Sequence, residues 1–291
     1  MSVFVQQQGT ICDFSGGDSW VILSPIEQSI KHKIEAVGTP LKDWDINIYR
    51  GVLTGYNDAF IIPTEKRDEI LANCQSEDER KRTEELIRPI LRGRDIKRYG
   101  YEWANLWLIN THNGVKGRIP RIDIKDYPAV KQHLDYYWDK IKDRADQGDT
   151  PYNLRNCAYL EDFNKPKVVW ARLMRLSISD IDAFPRFAYV PERIMTVDSL
   201  CFFSGKELKQ LVNILNSEYS TYYFFSNVAT LDNGGFQMRQ QYVENILLPR
   251  NLSLIHDDKD VYKCFEFNES EVQYIKAYIA QRKEEIVSNN R

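Results

Sequence analysis

The residues of this 291-residue chain that could do chemistry fall into a few short patterns. Asp123-Ile124-Lys125, with Glu102 upstream, is the Asp-x-Lys arrangement by which metal-dependent nucleases hold a divalent cation. The surrounding RIDIKDYP reads equally as the approach to a helix. His32, His112, His133 and His256 stand apart from one another, and there is no Gly-x-Ser-x-Gly to present a nucleophile. A Rossmann-type dinucleotide or S-adenosylmethionine site needs a glycine-rich turn after a strand, and no Gly-x-Gly occurs. Transfer to an exocyclic amino group of a base uses an Asn/Asp-Pro-Pro-aromatic loop, and the chain has no Pro-Pro pair. Cys12, Cys74, Cys157, Cys201 and Cys264 are dispersed, without Cys-x-x-Cys, and read as reduced thiols. No cofactor and no metal is expected on this chain.

The remaining chemistry is charge. The formal net charge of −3 argues against indiscriminate coating of nucleic acid, but the distribution is uneven. Arg88, Arg92, Arg94, Lys97 and Arg98 face only Asp95 within eleven residues, with Tyr99 and Tyr101 alongside. Cations interleaved with aromatics suit nucleic acid, although a basic run also serves as a solvated helix end. Residues 257–271 hold six acids against Lys259 and Lys263, so the molecule is expected to be polarised.

These groups must be positioned by a mixed set of elements. Ser24-Pro25-Ile26-Glu27 forms a capping box, after which Ile26, Ile30 and Ile34 share a helix face that Gly38 ends. DINIYRGVL and AFIIP read as strands around the polar turn Thr54-Gly55-Tyr56-Asn57-Asp58. A second capped helix opens at Ser76, and its apolar positions Leu86, Ile87, Ile90 and Leu91 lead into RGRDIKRYG, placing the basic run at a helix end and the loop beyond. NLWLINT is a buried strand, and Tyr127 to Gly148 carries helical spacing in Val130, Leu134, Trp138, Ile141 and Ala145. KVVWARL, RFAYV and SLCFFSG suit strands in one sheet, Leu208 to Leu215 a helix, Asn233-Gly234-Gly235 a turn and NILLP a short strand. Asn268 caps a last helix with Val272, Ile275, Ile279 and Ile286 as its stripe. The opening MSVFVQQQGT is not a signal sequence and no long apolar run follows, so a cytoplasmic location is expected.

GVLTGYNDAFII, IRPILRGRDIKRY, LINTHNG, and YPAVKQHL followed by Asp-Arg and a glycine resemble, in that order, the C-terminal specificity domain of TaqI-like adenine-N6 DNA methyltransferases. NKPKVVWARL, TVDSLCFFSG, LVNILNSEYSTYYF and YVENILLPR extend the resemblance to residues 44–250. That family includes type IIG restriction enzymes, and the Leu-Asn-Ser segment also resembles type I specificity subunits. The resemblance implies an α+β fold: a linker helix within residues 1–38, a mixed α/β target-recognition domain over 39–250, and an acidic linker with a spacer or docking helix over 251–291. It implies double-stranded DNA as partner and a catalytic domain, with S-adenosylmethionine, on the same or another chain. This chain would then be an excised fragment or a separate specificity subunit. The alternatives are a nuclease using Asp123 and Lys125, or a docking scaffold.

For DNA, Arg88, Arg92, Arg94, Lys97 and Arg98 are the expected phosphate ligands. Arg155, Arg172, Arg175, Asn233, Gln237 and Arg239, the forked or bidentate groups of the second half, are the expected base readers. Thr54 and Asn57 of the polar turn complete the candidates.

Overall fold

The computed structural model describes residues 23–289 apart from 178, 232–234 and 254. Two sheets organise them. Short strands β1 (Gly38–Pro40) and β2 (Asn47–Arg50) follow helix α1 (Pro25–Val37); β3 (Ile61–Pro63), α2 (Thr64–Ala72), α3 (Glu77–Leu86), β4 (Ile87–Leu91) and β5 (Leu106–Ile109) come next. Helix α4 (Pro128–Tyr136) precedes β6 (Lys167–Ala171), β7 (Met174–Arg175), β8 (Phe187–Val190), β9 (Met195–Thr196) and β10 (Leu200–Ser204). Helices α5 (Leu208–Leu215) and α6 (Glu218–Asn227) are followed by β11 (Gly235–Phe236), β12 (Leu247–Pro249), α7 (Asp258–Cys264) and α8 (Glu269–Asn289).

The central sheet is antiparallel in the order β2-β10-β6-β8. Every residue of β6 is buried, and in β10 only Ser204 is not, which is why these strands read as continuous apolar runs rather than alternations. Lys167 is the exception in type: its Nζ donates to the carbonyls of Phe163, Ile194 and Pro191 at 3.1, 3.2 and 3.4 Å, and burial pushes its pKa down to about 8. The second sheet runs β3-β5-β4-β9, with β9 parallel to β4. Gly51 and Val52 join the two by donating to Leu200 O at 3.0 Å and Thr196 O at 2.7 Å. A Cβ at Gly51 would lie 2.1 Å from Val197 O, so this junction requires glycine.

The first and last described elements close on each other. β1 pairs with β12, and α8 packs on α6 and α1. Ser24 and Glu27 form the capping box of α1, and Asn268 caps α8 by accepting from Glu271 N at 3.0 Å. Glu271 in turn accepts from Ser29 Oγ at 2.6 Å and from Lys33 Nζ at 2.7 Å. The stripe Ile275, Ile279 and Ile286 is therefore spent inside the chain rather than left for a partner. No helix among the described residues is long and apolar enough to cross a membrane.

Two expected helices are shorter than their periodicity. Helix α3 stops at Leu86, and Ile87, Ile90 and Leu91 belong to strand β4, because Pro89 cannot supply a helical N–H and disfavours helix in the residue before it. The basic run therefore begins inside strand β4, at Arg88, and continues into the loop beyond it. Residues 127–148 break at Tyr137 into α4 and a single turn, Trp138–Ile141; Val130, Leu134 and Ile141 are buried but Trp138 is 39% exposed.

The outer edge of β8 is closed by one side chain and by the Tyr99 backbone, which donates to Phe187 O at 2.9 Å and accepts from Tyr189 N at 3.3 Å. Asn216, fully buried between α5 and α6, accepts from Phe187 N at 3.0 Å and donates to Phe187 O and Val212 O, both at 2.9 Å. Asn216→Asp keeps the shape but sets a carboxylate against two carbonyls; we expect a loss on the order of 3 kcal/mol in urea unfolding, more than Asn→Asp at the exposed Asn245.

His133 donates through Nε2 to Ala59 O at 3.0 Å, and burial lowers its pKa, as it does that of His112. The unfolded chain binds protons at these sites near about pH 6.5 while the folded chain resists. Their contribution to stability is thus complete above that pH and is lost as pH falls through the lower folded values. Melting temperature is expected to decline on acidification through this window, with a shallower slope in His133→Gln, which keeps a donor for Ala59.

Candidate nucleic-acid interface

The basic side chains left available gather where the central sheet ends. Arg50 closes β2 opposite Cys201, and Ala171 closes β6 opposite Leu200, so Arg50 and Arg172 flank the start of β10 from both sides. Arg172 is aimed by a 3.3 Å bond from Nη1 to Asp198 O, and its Nη2 and Nε have no partner among the described residues. Arg50 lies 3.8 Å from the Asp198 carboxylate, with both groups more than 40% exposed, so the pair is loose. Arg50, Arg172 and Arg239 line one cleft of 290 Å³ with Cys201, Gln240, Gln241 and Glu244. Burial pushes the Cys201 thiol up to about 11, against the pull of Arg172 and Arg50.

A two-stranded ribbon leaves this point. β7 starts two residues beyond Arg172 and pairs with β11, Arg175 opposite Gly235 and Met174 opposite Phe236. Phe236 and Met174 are buried and anchor the ribbon, and Trp170 Nε1 donates to Met238 O at 2.8 Å beneath it. Arg175 and Arg239 are exposed and Gln237 half-buried, all without a side-chain partner among the described residues. Asn233 lies outside the described residues. Arg155, ion-paired to Asp146 at 2.8 Å, shares a second cavity with Arg50. The second-half candidates Arg155, Arg172, Arg175, Gln237 and Arg239 are thus brought to one end of the sheet.

The first basic run divides. Arg88 donates to Asn164 Oδ1 at 2.9 Å and to Arg193 O at 3.2 Å, and burial lowers its pKa. Arg92 forks onto buried Asp95 at 3.0 and 3.2 Å, and Arg98 donates to Asp182 O at 3.0 Å and Asn216 O at 2.5 Å. These three hold loops. Lys97 keeps only an exposed pair with Glu102 at 3.2 Å, and Arg94 is exposed without a partner. Gly93 sits where a Cβ would be 3.8 Å from Ala171 Cβ and 3.9 Å from Ser199 Oγ, so Arg94 starts beside the sheet end that carries Arg172.

The polar turn serves packing. Thr54 is buried and donates to Asn57 Oδ1 at 2.6 Å, while Asn57 is exposed. Gly55, at φ +71°, makes room for Arg144, whose guanidinium stacks 4.5 Å from the Phe60 ring and donates to the carbonyls of Ile141, Pro151 and Asn153. Asp123 accepts from Lys125 N at 3.0 Å as the cap of a 3₁₀ turn, and Glu102 is committed to Lys97. No group of three or more His, Cys, Asp or Glu able to hold a metal forms among the described residues. Arg50 is the basic residue of this sheet end that sequence reasoning did not single out; its signal was the glycine directly after it, which marks close backbone approach.

Comparison with known proteins bears on this geometry. Among curated proteins none matches the sequence. The type IIG restriction endonuclease BpuSI superposes with a TM-score of 0.54 at 15% identity, over 91% of this chain and 33% of that one. The type IIL restriction-modification enzyme MmeI, solved in complex with DNA, superposes with a TM-score of 0.55 at 12% identity, over 86% of this chain and 36% of that one. At such identity the likeness is one of fold, and the chain spans about a third of either enzyme. The family model of the TaqI-like C-terminal specificity domain matches residues 88–248, more than half of the chain, from the first basic run to β12. The chain belongs to the TaqI-like C-terminal specificity domain family.

Proposed function

We propose that this chain reads a sequence in double-stranded DNA for a restriction-modification enzyme of the type IIG kind and leaves the reaction to another domain. The observation that carries this reading is the gathering of Arg50, Arg172, Arg175, Gln237 and Arg239 at one sheet end of a net acidic chain. An adenine-specific methyltransferase domain, with its S-adenosylmethionine, would be the partner.

The ribbon β7/β11 has dimensions that the major groove of DNA admits. Arg172 and Arg239 present forked donors and Gln237 a paired donor and acceptor, the group types that bind base edges bidentately. Exposed Arg94 and Arg175, free of internal bonds, suit phosphates, where a point charge positions the protein without reading sequence. MmeI, solved with DNA, shares the fold and supports the assignment.

Binding to a randomised duplex pool, followed by anisotropy from about 50 to 200 mM salt, tests it. Arg94→Ala is expected to weaken all sequences alike and to reduce the salt slope by about 0.9. Arg239→Ala or Gln237→Ala is expected to cost about 1–3 kcal/mol on the selected sequence only, relaxing the choice at one base pair. Absence of salt-dependent binding to any duplex would overturn the proposal.

A further inference from the structure

The segment that carries Arg172 and Arg175 also carries an exposed leucine. Burial alternates from residue 173 to residue 177: Met174 and Leu176 are buried, while Leu173, Arg175 and Ser177 are exposed. Successive side chains of an extended segment point to opposite faces, so Leu173, in the bend just before β7, shares the outward face with Arg175. Leu173 is 40% exposed, and among the described residues the other large aliphatic side chain left so open is Val37, at the end of α1.

The neighbours of Leu173 are the groups assigned to DNA. Arg172 precedes it, and the register that sets Arg175 opposite Gly235 and Met174 opposite Phe236 leads next to Leu173 on one side and Gln237 on the other. The core is filled from the opposite face, by Met174, Leu176 and Phe236, so Leu173 adds little to it. What an apolar side chain can gain at this position comes from a ligand. The base edges that Arg172 and Gln237 would meet on the floor of the major groove are hydrogen-bonding groups with one apolar exception, the C5 methyl of thymine.

We infer that Leu173 is a specificity-determining residue that packs on the C5 methyl of one thymine in the major groove, between the bases met by Arg172 and Gln237. In unmethylated DNA that group belongs to thymine alone, so the contact separates T·A from C·G without a hydrogen bond. This inference rests on the DNA-reading proposal and narrows it, because the recognised sequence must then contain a thymine.

The probe is the duplex enriched by the full chain from an unmethylated randomised pool, remade with deoxyuridine in place of each thymine in turn. Uracil pairs as thymine does and lacks only the methyl. At one position the exchange is expected to weaken binding about fourfold, the effect of one buried methyl. Leu173→Ala is expected to weaken the thymine duplex, leave the uracil duplex nearly unchanged, and so bind the two alike. The melting temperature of the variant should not fall, since the side chain is exposed, and its salt slope should not change, since no phosphate contact is lost. An enriched sequence without thymine, tolerance of uracil at every position, or a preference for thymine that survives Leu173→Ala overturns the role of Leu173 and leaves DNA reading intact. No enriched sequence at all overturns both.

Discussion

A side-chain amide stands in for a peptide at the edge of the central sheet, and much of the molecule is registered by it. The outward N–H and C=O of Phe187 would otherwise be an open edge; Asn216 takes both, and Tyr99 N adds a second bond to Phe187 O at 2.9 Å. The same residue ends α5, while Ser217 beside it caps α6 by accepting from Ser220 N at 3.2 Å. Its carbonyl binds Arg98, which draws the first basic run against the sheet. With β8 held, β6 is pinned between β8 and β10, and the point where β6 ends, at Arg172, is determined.

Cations perform two different jobs here, and only position in the fold separates them. Lys167 and Arg144 are buried on backbone carbonyls; Lys167 gathers segments distant in sequence, Arg144 the loop on either side of it, and burial lowers both pKa values, that of Arg144 to about 10. Burying such a charge is costly unless its donors are satisfied, so these two constrain loop geometry tightly. Arg88, Arg92 and Arg98 do the same nearer the surface. Arg94, Arg175 and Arg239 have no side-chain partner among the described residues.

This division explains what could be read from the sequence. Helices with clear apolar stripes, α1, α5 and α8, and the strands β6, β8 and β10 follow from local pattern because their burial is periodic or continuous. Pro89 was visible but outweighed by the helical spacing of its neighbours, and the break at Tyr137 has no breaker residue to announce it. Whether a given arginine is free depends on which carbonyls tertiary structure brings near, as Arg193 O reaches Arg88 from over a hundred positions away. No local pattern encodes that.

Charge density along the chain is accordingly a poor guide to charge at the interface. The acidic stretch 257–271 is largely spent on helix starts: Asp257 caps α7, Asp258 Oδ1 accepts from Glu218 N at 2.6 Å in the first turn of α6, and Glu271 completes the cap of α8 by accepting from Asn268 N. Carboxylates at helix N-termini satisfy orphan N–H groups and oppose the dipole, so a run of acids marks closely spaced helix starts rather than a repulsive face. The candidate interface instead gathers Arg50, Arg172 with Arg175, and Arg239 from three separate segments that the sheets bring together. A net acidic protein can then hold a basic site, because several of its acids are bound to its own backbone while Arg175 and Arg239 have no side-chain partner among the described residues.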